Sequence, residues 1–355
     1  MKLNFKYDLY CWACDFSSSR GEGILARHYI KNLSKIQKKK IFIKTPNKNY
    51  SVINGIIKNL SIKDKKDTKL NLNFFENYFL PLVGILYLWS NYLKGRGICY
   101  LNFLPLWNLF LFIFLPPKTH LGPITGFIFK KKITNFNFFL RKYLNNFLFK
   151  FNLKILFNRQ NKIYFSTDLL KNLIPNKHMN RISFNYLIHL VEIKNKKDKK
   201  NIDLLIYNRN YSVKNNYLRN KLLKILITMN LNIYAIGDHL YLRNIKNLGF
   251  ISREKTNFLL RKTKFIINSG ENPYNIFTID AFNNHVDIIY EKNFFNKINF
   301  FNKQKLFFLN FNNKNQIKTI LNKNKIKKSK LTVDYKTLKK KSLIYFAKVK
   351  IYYST

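Results

Sequence analysis

Short apolar runs alternate with amphipathic stretches through the second half of the chain. Residues 202–207 form an apolar run typical of a buried strand, and apolar positions at helical spacing follow over residues 218–229. The same alternation continues to the end of this region. It predicts strands at 232–236, 264–268 and 285–290, a strand-like connector at 244–251, and helices at 252–260, 273–283 and 316–323. Strands alternating with helices predict right-handed crossovers and a parallel sheet.

Three polar loops, 209–214, 237–239 and 269–276, follow predicted strands. The carboxyl ends of parallel strands lie at one edge of the sheet, which is where such sheets bind ligands. Arg209 offers a planar fork of donors and Lys214 a point charge, so both suit a phosphate group.

The third loop leads into a helix that Pro273 is predicted to begin, because proline is favoured at the first helical position. The N–H groups of Tyr274, Asn275 and Ile276 would then face an anion, aided by the helix dipole. Asp280 lies further along this helix, where its carboxylate could accept hydrogen bonds from ribose hydroxyls. Arg209 or Lys214 alone could be a solvated surface charge, but the combination at one sheet edge favours a diphosphate site.

These residues resemble the donor half of GT-B glycosyltransferases, specifically the retaining, nucleotide-sugar-dependent glycosyltransferase family 4, or group 1. That family carries an Arg and, five residues later, a Lys after the first strand of its C-terminal domain, the spacing of Arg209 and Lys214. Its Glu-Pro-Phe-Gly-Leu segment aligns with residues 272–276, and its second Glu aligns with Asp280. Asn272 replaces the first Glu, and Asn275 replaces the Gly.

The resemblance implies roles for these positions. Arg209 and Lys214 would hold the donor diphosphate during catalysis, and Asp280 would bind the ribose. A sugar hydroxyl would contact Glu271 or Asn272. The rest of the predicted donor site consists of Gly237, Tyr274, Asn275 and Ile276, with Gly249, Phe250 and Ile251 lining the base.

The first half of the chain has room for the second Rossmann-like domain that a GT-B protein requires. Residues 6–15 predict a strand, 16–23 a turn, and 24–36 a helix, with further strands at 40–45 and 98–103. Gly21 and Gly23 in the turn resemble the glycine-rich opening of the family, where backbone approaches donor or acceptor. Gly-x-Gly alone is a weak signal and usually marks only a tight turn.

His120 is the histidine placed where the family often has one, at the end of a central strand facing the donor sugar. The resemblance gives it a catalytic role, orienting a sugar hydroxyl or stabilising charge at the reacting carbon. The alternative is a loop histidine satisfied by its neighbours.

The fold expected from the resemblance is α/β, with two Rossmann-like domains facing across a cleft, the GT-B architecture. Residues 1–185 would form the N-terminal acceptor domain and 186–335 the C-terminal nucleotide-sugar donor domain. The tail, 336–355, is expected to cross back to the N-terminal domain. A length of 355 residues suits two domains with proper cores.

The chain is strongly basic, with 65 Lys and Arg against 17 Asp and Glu and a formal net charge of +48. Such a balance is typical of proteins that bind nucleic acid or an anionic membrane. However, the abundant Lys, Asn, Ile, Phe and Tyr all have A/T-rich codons, the Lys are dispersed, and no nucleic-acid-binding motif is present. No specific nucleic acid is therefore expected as a partner, whereas an anionic membrane surface is a candidate.

Two apolar stretches, 79–89 and 101–117, are too short or too interrupted to span a membrane. Burial in the N-terminal domain is favoured over a monotopic membrane patch. Cys11 and Cys14 form a Cys-x-x-Cys without a second pair at zinc spacing, so free thiols in a reducing cytoplasm are expected. Without a secretory signal, the predicted place is the cytoplasm, in part at the inner face of the cell membrane as a peripheral protein.

The sequence contains no Asp-x-Asp, which argues against the metal-dependent glycosyltransferases. The hypothesis is a metal-independent, retaining transferase of cell-surface polysaccharide synthesis, acting on a glycan or lipid-linked acceptor. It needs no cofactor beyond its nucleotide-sugar co-substrate. The rivals are a non-catalytic nucleotide- or glycan-binding relative, a nucleotide-sugar epimerase, and a basic nucleic-acid-binding protein.

Overall fold

The chain forms two compact units in a computed structural model. One unit comprises Met1–His189 together with Lys340–Thr355, and the other comprises Leu190–Lys339. The structure describes residues 6–17, 21–61, 74–101, 109–122, 124, 136–160, 162–165, 171, 174–184, 198–209, 217–268, 273–292, 306–311, 313, 315, 317 and 343–349.

A six-stranded sheet lies at the centre of the first unit, in the order β4-β3-β2-β1-β5-β6. Its strands are β1 (Leu9–Trp12), β2 (Ile41–Lys44), β3 (Asn49–Ile53), β4 (Ile56–Asn59), β5 (Ile98–Tyr100) and β6 (His120–Leu121). The four strands β2, β1, β5 and β6 run parallel. β3 and β4 form an antiparallel hairpin at the edge. Asn54 and Gly55 both have positive φ in its turn, the backbone that a two-residue hairpin needs.

Four helices accompany this sheet: α1 (Gly21–Gln37), α2 (Phe74–Tyr92), α3 (Leu109–Phe114) and α4 (Phe136–Arg159). Side chains of β1 alternate between two cores. Trp12 packs with residues of α2, α3 and α4, whereas Cys11 packs with residues of α1 and of the C-terminal tail. Beyond the sheet lie a two-stranded parallel ribbon, β7 (Ile163–Phe165) with β8 (Ile182–Phe184), and a 3-10 helix, Asn176–Arg181.

The C-terminal tail joins the first unit although it follows the second in sequence. Residues 343–348 form a helical turn, in which Tyr345 and Phe346 are buried in the α1 core together with Val349. The Gln37 side-chain amide donates hydrogen bonds to the carbonyl oxygens of Phe346, at 2.8 Å, and Val349.

The second unit contains a parallel six-stranded sheet in the order β11-β10-β9-β12-β13-β14. Its strands are β9 (Ile202–Asn208), β10 (Ile233–Gly237), β11 (Ile245–Asn247), β12 (Thr263–Ile267), β13 (Asp287–Glu291) and β14 (Leu306–Leu309). Every neighbouring pair is parallel. Numbered from β9, this is the 3-2-1-4-5-6 order of the dinucleotide-binding fold.

Three helices belong to this sheet: α5 (Tyr217–Ile227), α6 (Arg253–Arg261) and α7 (Ile276–Asn283). Leu222 and Leu226 of α5 pack on Leu204, Ile206 and other residues of the central strands. The α/β prediction is confirmed, as are the strands predicted in this region. The strand β14 was not predicted, and most of the helix predicted at 316–323 lies outside the described residues.

Three predictions near helix starts and apolar runs need correction. Gly21 and Gly23 lie inside α1, not in the preceding turn. The helix expected to begin at Pro273 begins at Ile276. The apolar stretch 79–89 is helical and only one of its faces is buried: Ile85 and Leu88 lie in the core, whereas Leu82, Val83 and Leu86 are exposed.

Candidate functional site

The switch point of the second sheet lies between β9 and β12. These neighbouring strands are followed by connections that run to opposite sides, β9 toward β10 and β12 toward β13. The divergence opens a crevice at the carboxyl ends of the two strands, which is the usual ligand position in this fold. Asn208 and Arg209 stand at the end of β9, and Asn268 directly follows β12. The sheet therefore brings Arg209 to the edge where the sequence predicted a diphosphate.

Asn208 organises the loop beyond β10. Its side chain is fully buried, and its amide donates to the carbonyl oxygens of Asp238 at 2.9 Å and His239 at 3.2 Å. Arg209 follows it and is half-buried. Lys214, the second predicted cation, lies outside the described residues.

Gly237 ends β10 with a left-handed φ of +94°. A Cβ at this position would lie 2.2 Å from the Asn208 carbonyl oxygen, so only glycine lets the two strand ends approach so closely. The Gly237 N–H donates to the Gly249 carbonyl at 2.9 Å. Gly249 therefore lies beside the strand end, followed by the exposed Phe250 and the half-buried Ile251. Their predicted contact with a base stays a prediction.

The amino end of α7 is capped by Asn275. Its side-chain oxygen accepts from the Thr278 N–H at 2.8 Å, and its backbone is extended, as an N-cap requires. The Thr278 hydroxyl in turn accepts from the Asn268 amide at 2.8 Å in a buried bond. This chain of contacts fixes the first turn of α7 to the end of β12. The N–H groups that a helix leaves without an intrahelical partner belong to its first turn, and Asn275 already binds that of Thr278, so the predicted set shifts from Tyr274–Ile276 to Ile276 and Phe277.

Pro273 and Tyr274 form a buried turn ahead of the cap. The Pro273 carbonyl accepts from the Tyr290 hydroxyl at 2.8 Å, which ties this turn to β13. Burial, with a smaller contribution from Tyr274, raises the pKa of Tyr290 well above its usual value, so this hydroxyl stays a donor. Glu271 and Asn272, the two candidates for a sugar hydroxyl, lie outside the described residues.

Asp280 has a partner that the sequence analysis missed. Its two carboxylate oxygens accept from Arg253, at 3.0 Å from Nε and 2.6 Å from Nη2. Asp280 is 2% exposed, and burial raises its pKa above 3.8 in spite of the opposing effect of Arg253. The pair joins α6 to α7. Arg253 already occupies both oxygens of the Asp280 carboxylate. The predicted role of Asp280 in binding the ribose stays a prediction.

His120 lies in the first unit as the first residue of the short strand β6. That position is the start of a strand at the sheet edge, not the end of a central strand as predicted. The ring is buried, its Nε2 is 2.9 Å from the Tyr29 hydroxyl, and it lies between the rings of Tyr29 and Tyr164. Burial lowers the pKa of His120 from 6.5 to about 4, so the imidazole is neutral at pH 7. These contacts favour the alternative of a satisfied structural histidine.

Among the described residues, no cluster of three or more His, Cys, Asp or Glu side chains could hold a metal ion. None of the three cysteines, all within the described residues, is in a disulfide. Within the same residues, every helix is too short or too polar to cross a membrane.

No protein-family model matches the sequence, and no curated protein matches it. Several solved structures are similar to the chain. The HepE protein of Anabaena, in complex with UDP and glucose, is 10% identical with a TM-score of 0.49, over 96% of this chain and 95% of HepE. A glycosyltransferase from Rickettsia africae is 13% identical with a TM-score of 0.46, over 96% and 92%. A TarM mutant of S. aureus bound to fondaparinux, alpha-GlcNAc-glycerol and UDP is 11% identical with a TM-score of 0.47, over 85% and 59%.

Proposed function

We propose that this protein is a glycosyltransferase that moves a sugar from a nucleotide-sugar donor to a glycan or lipid-linked acceptor. One observation carries the proposal: the switch point of a 3-2-1-4-5-6 parallel sheet has Arg209 at one strand end and the capped start of α7 at the other. An arginine fork and a helix N-terminus both favour phosphate oxygens. A diphosphate in this crevice would meet both.

The proposed chemistry is electrostatic. When the sugar leaves, negative charge grows on the nucleoside diphosphate, and preorganised donors stabilise that charge without moving. Arg209 supplies a fixed planar fork, Lys214 a second positive charge, and the first turn of α7 its N–H groups and dipole. The Asn275 cap and the Asn268–Thr278 bond hold that turn rigid, which such donors need. This set does the work that a divalent ion does in metal-dependent transferases.

The rest of the donor would follow the same edge of the sheet. Gly249, Phe250 and Ile251 would line the base, and Asp280 would contribute to the ribose pocket directly or through Arg253. The buried His120 adds no support for a catalytic histidine, so the proposal rests on the second unit. The proposal has three further parts. The transfer retains the anomeric configuration, the product is a cell-surface polysaccharide, and the enzyme works as a peripheral protein at the inner face of the membrane.

A thermal-shift screen against nucleoside diphosphates and nucleotide sugars tests the donor site. A ligand at about 100 times its dissociation constant should stabilise the fold by about 2.7 kcal/mol. The expected result is a shift for one nucleotide series, lost in Arg209→Ala and in Lys214→Ala. Lys224→Ala is the matched control, because Lys224 is exposed in the last turn of α5, at the opposite edge of the sheet. Failure of every nucleotide to shift the melting temperature would refute the donor site.

Donor hydrolysis without acceptor separates the transferase from a non-catalytic relative. We expect slow release of nucleoside diphosphate from the preferred nucleotide sugar, and loss of this release in Arg209→Ala. Arg209→Lys keeps the positive charge but lacks the planar fork of donors. Compared with Arg209→Ala, it should therefore recover nucleotide binding more fully than the rate of donor hydrolysis. Nucleotide binding without any hydrolysis or transfer would favour the binding-protein alternative.

A further inference from the structure

We propose that the outer surface of α2 and α3, extended by α4, inserts into the headgroup region of an anionic lipid membrane. We call it the outer helical surface. Its large apolar side chains each expose between 39% and 78% of their area: Leu82, Val83, Leu86, Leu93, Ile113, Phe114, Phe147 and Phe151. This inference assigns a surface of the first unit to the peripheral membrane attachment included in the proposed function, and it does not depend on the donor site of the second unit.

The outward stripe of α2 lacks the charges that a solvent-facing helix normally carries. Positions 82, 86 and 93 recur at helical spacing on one face, with Val83 beside them, and the residues between Leu80 and Leu93 include no charged side chain. Surface helices of soluble proteins place polar and charged residues on that face. The inner face of α2 already packs into the core of the protein. Its outer face is also apolar, which indicates that this face contacts another apolar environment outside the protein.

The inner face keeps α2 attached to the protein. Ile85 and Leu88 lie in the core with Trp12, and a Cβ on Gly84 would meet the Trp12 ring at 2.2 Å, so helix and strand are in close contact. The helix therefore cannot leave the sheet to cross a bilayer. The surface it can offer is a stripe of about 17 Å, which suits insertion parallel to the membrane plane.

The surface extends from α2 over the neighbouring helices. The Trp89 indole donates to the Phe114 carbonyl at 2.8 Å, which brings the end of α3 against the outer face of α2. α3 also packs on α4, and α4 exposes Phe147 and Phe151, whose rings stack at 6.1 Å between centroids. Other exposed apolar residues of the described chain, such as Ile56 on the hairpin, lie on separate elements.

The charge around this surface selects the partner. The sequence has no Asp or Glu between Glu76 and Asp168, while twelve Lys and Arg residues lie in the same interval. Lys94, Lys150 and Lys154 are exposed, with Lys94 next to Leu93 in the chain and the other two one helical turn after Phe147 and Phe151. Lysine stems can lie along an apolar surface while their ammonium groups reach headgroup phosphates. A second copy of this chain would bring a like-charged surface to the same contact, so anionic lipid is the favoured occupant.

Vesicle flotation with the nucleotide-free, 355-residue chain tests the proposal. We expect co-flotation with vesicles of phosphatidylcholine and phosphatidylglycerol, none with phosphatidylcholine alone, and weaker binding at high salt as charges are screened. Leu86→Ser/Leu93→Ser should weaken binding at least about tenfold, because both side chains lose apolar area that enters the membrane. Lys150→Gln/Lys154→Gln should weaken it about fivefold per lysine.

Ile56→Ser is the matched control, an exposed isoleucine on β4 of the same unit, and it should bind as the wild type does. Circular dichroism establishes that each variant is folded. The proposal is overturned if the wild type stays in the soluble fraction when anionic vesicles are present. It is also overturned if Leu86→Ser/Leu93→Ser co-floats with these vesicles to the same extent as Ile56→Ser. A wild-type dimer in light scattering, lost in the leucine variant and accompanied by no flotation, would assign the surface to self-association instead.

Discussion

His120 is neutral at physiological pH because folding removes its ring from water. Its Nε2 can hydrogen-bond to the Tyr29 hydroxyl in either neutral tautomer of the ring. The hydroxyl carries no negative charge, so this bond does not stabilise a protonated imidazole. The pKa of about 4 in the folded protein lies below the ordinary value of 6.5. Above pH 6.5 neither state binds the proton. Between pH 6.5 and 4 the unfolded chain binds it and the folded chain does not, so acid destabilises the fold.

Replacing His120 should therefore flatten the acid side of the stability profile. We expect the wild type to lose about 2 kcal/mol more unfolding free energy than His120→Gln between pH 7 and pH 4.5, since one pKa unit corresponds to about 1.4 kcal/mol. Urea titration followed by tryptophan fluorescence measures this, because Trp12 and Trp89 lie in the first unit and the range of the second unit, Leu190–Lys339, contains no tryptophan.

His28→Gln is the control for this measurement, because His28 lies on α1 of the same unit and is only half-buried, so it loses less solvation on folding than His120 does. Parallel profiles for His120→Gln and the wild type would show that His120 is not the group that acid charges. Glycosyl transfer by His120→Gln at pH 7, once a donor is known, would separate the structural role from the predicted catalytic role.

At the scale of elements, the Arg253–Asp280 pair is an ion pair that joins α6 to α7, in addition to the hydrogen bond that the Asn284 amide at the end of α7 donates to the Asn257 side chain of α6. Arg253 is 21% exposed and Asp280 only 3% at the side chain, so removal of the arginine leaves a carboxylate in the interior. Breaking one side of a buried pair is costly, whereas replacing both partners by apolar residues is often nearly neutral.

We expect Arg253→Met to lower the unfolding free energy of the second unit by about 3 kcal/mol at pH 7.5. Without Arg253, burial alone would raise the pKa of Asp280 further above 3.8. A carboxyl whose pKa is raised in the folded state lowers the unfolding free energy at pH values above that pKa, where the buried group is charged. This loss disappears as the pH falls and the group takes up a proton. The loss should therefore be smaller at pH 5 than at pH 7.5.

Hydrogen exchange of β9 and β12 amides measures this effect in the unit concerned. Arg253→Met/Asp280→Leu is the control and should recover most of the loss at pH 7.5, with little dependence on pH. Equal losses at both pH values, or a double variant as unstable as the single one, would contradict the account of a buried charge.

The sequence predicted the strands of the second unit because each is a short apolar run between polar loops. Helix starts were less predictable. Pro273 and Asn275 both favour the start of a helix, and they lie close together just before Ile276, where α7 begins. Asn275 prevails because its side chain reaches the Thr278 N–H, while Pro273 and Tyr274 pack in a turn against Tyr290. The Asn54-Gly55 hairpin carried a recognisable sequence signal and was overlooked.

Other parts of the candidate site could not be read from one sequence. Arg253 and Asp280 are 27 residues apart, and only the packing of α6 on α7 brings them together. Gly21 and Gly23 form a pattern typical of a turn, and glycine is a weak helix former, yet both residues lie in the first turn of α1. The Arg253–Asp280 contact depends on tertiary packing that no local pattern records.

At the scale of the whole molecule, the first unit is completed by residues from the far end of the chain. Phe346 is 1% exposed, and its ring lies 5.3 Å from that of Tyr29, between centroids. Tyr345 packs edge-on against Tyr164 at 5.4 Å, so the tail covers residues of α1 and of β7 together. Core residues more than 300 positions apart therefore share one hydrophobic cluster.

Because the tail fills part of that core, truncating it should destabilise the first unit. We expect Phe346→Ala to lower its unfolding free energy by about 3–5 kcal/mol, the usual range for a buried phenylalanine, in urea titrations followed by tryptophan fluorescence. Ile344→Ala is the matched control, on the same helical turn but 43% exposed, and should change stability by no more than about 0.5 kcal/mol. A Phe346→Ala chain as stable as Ile344→Ala would mean that the first unit holds together without its last segment, and that the tail lies on the unit without forming part of its core.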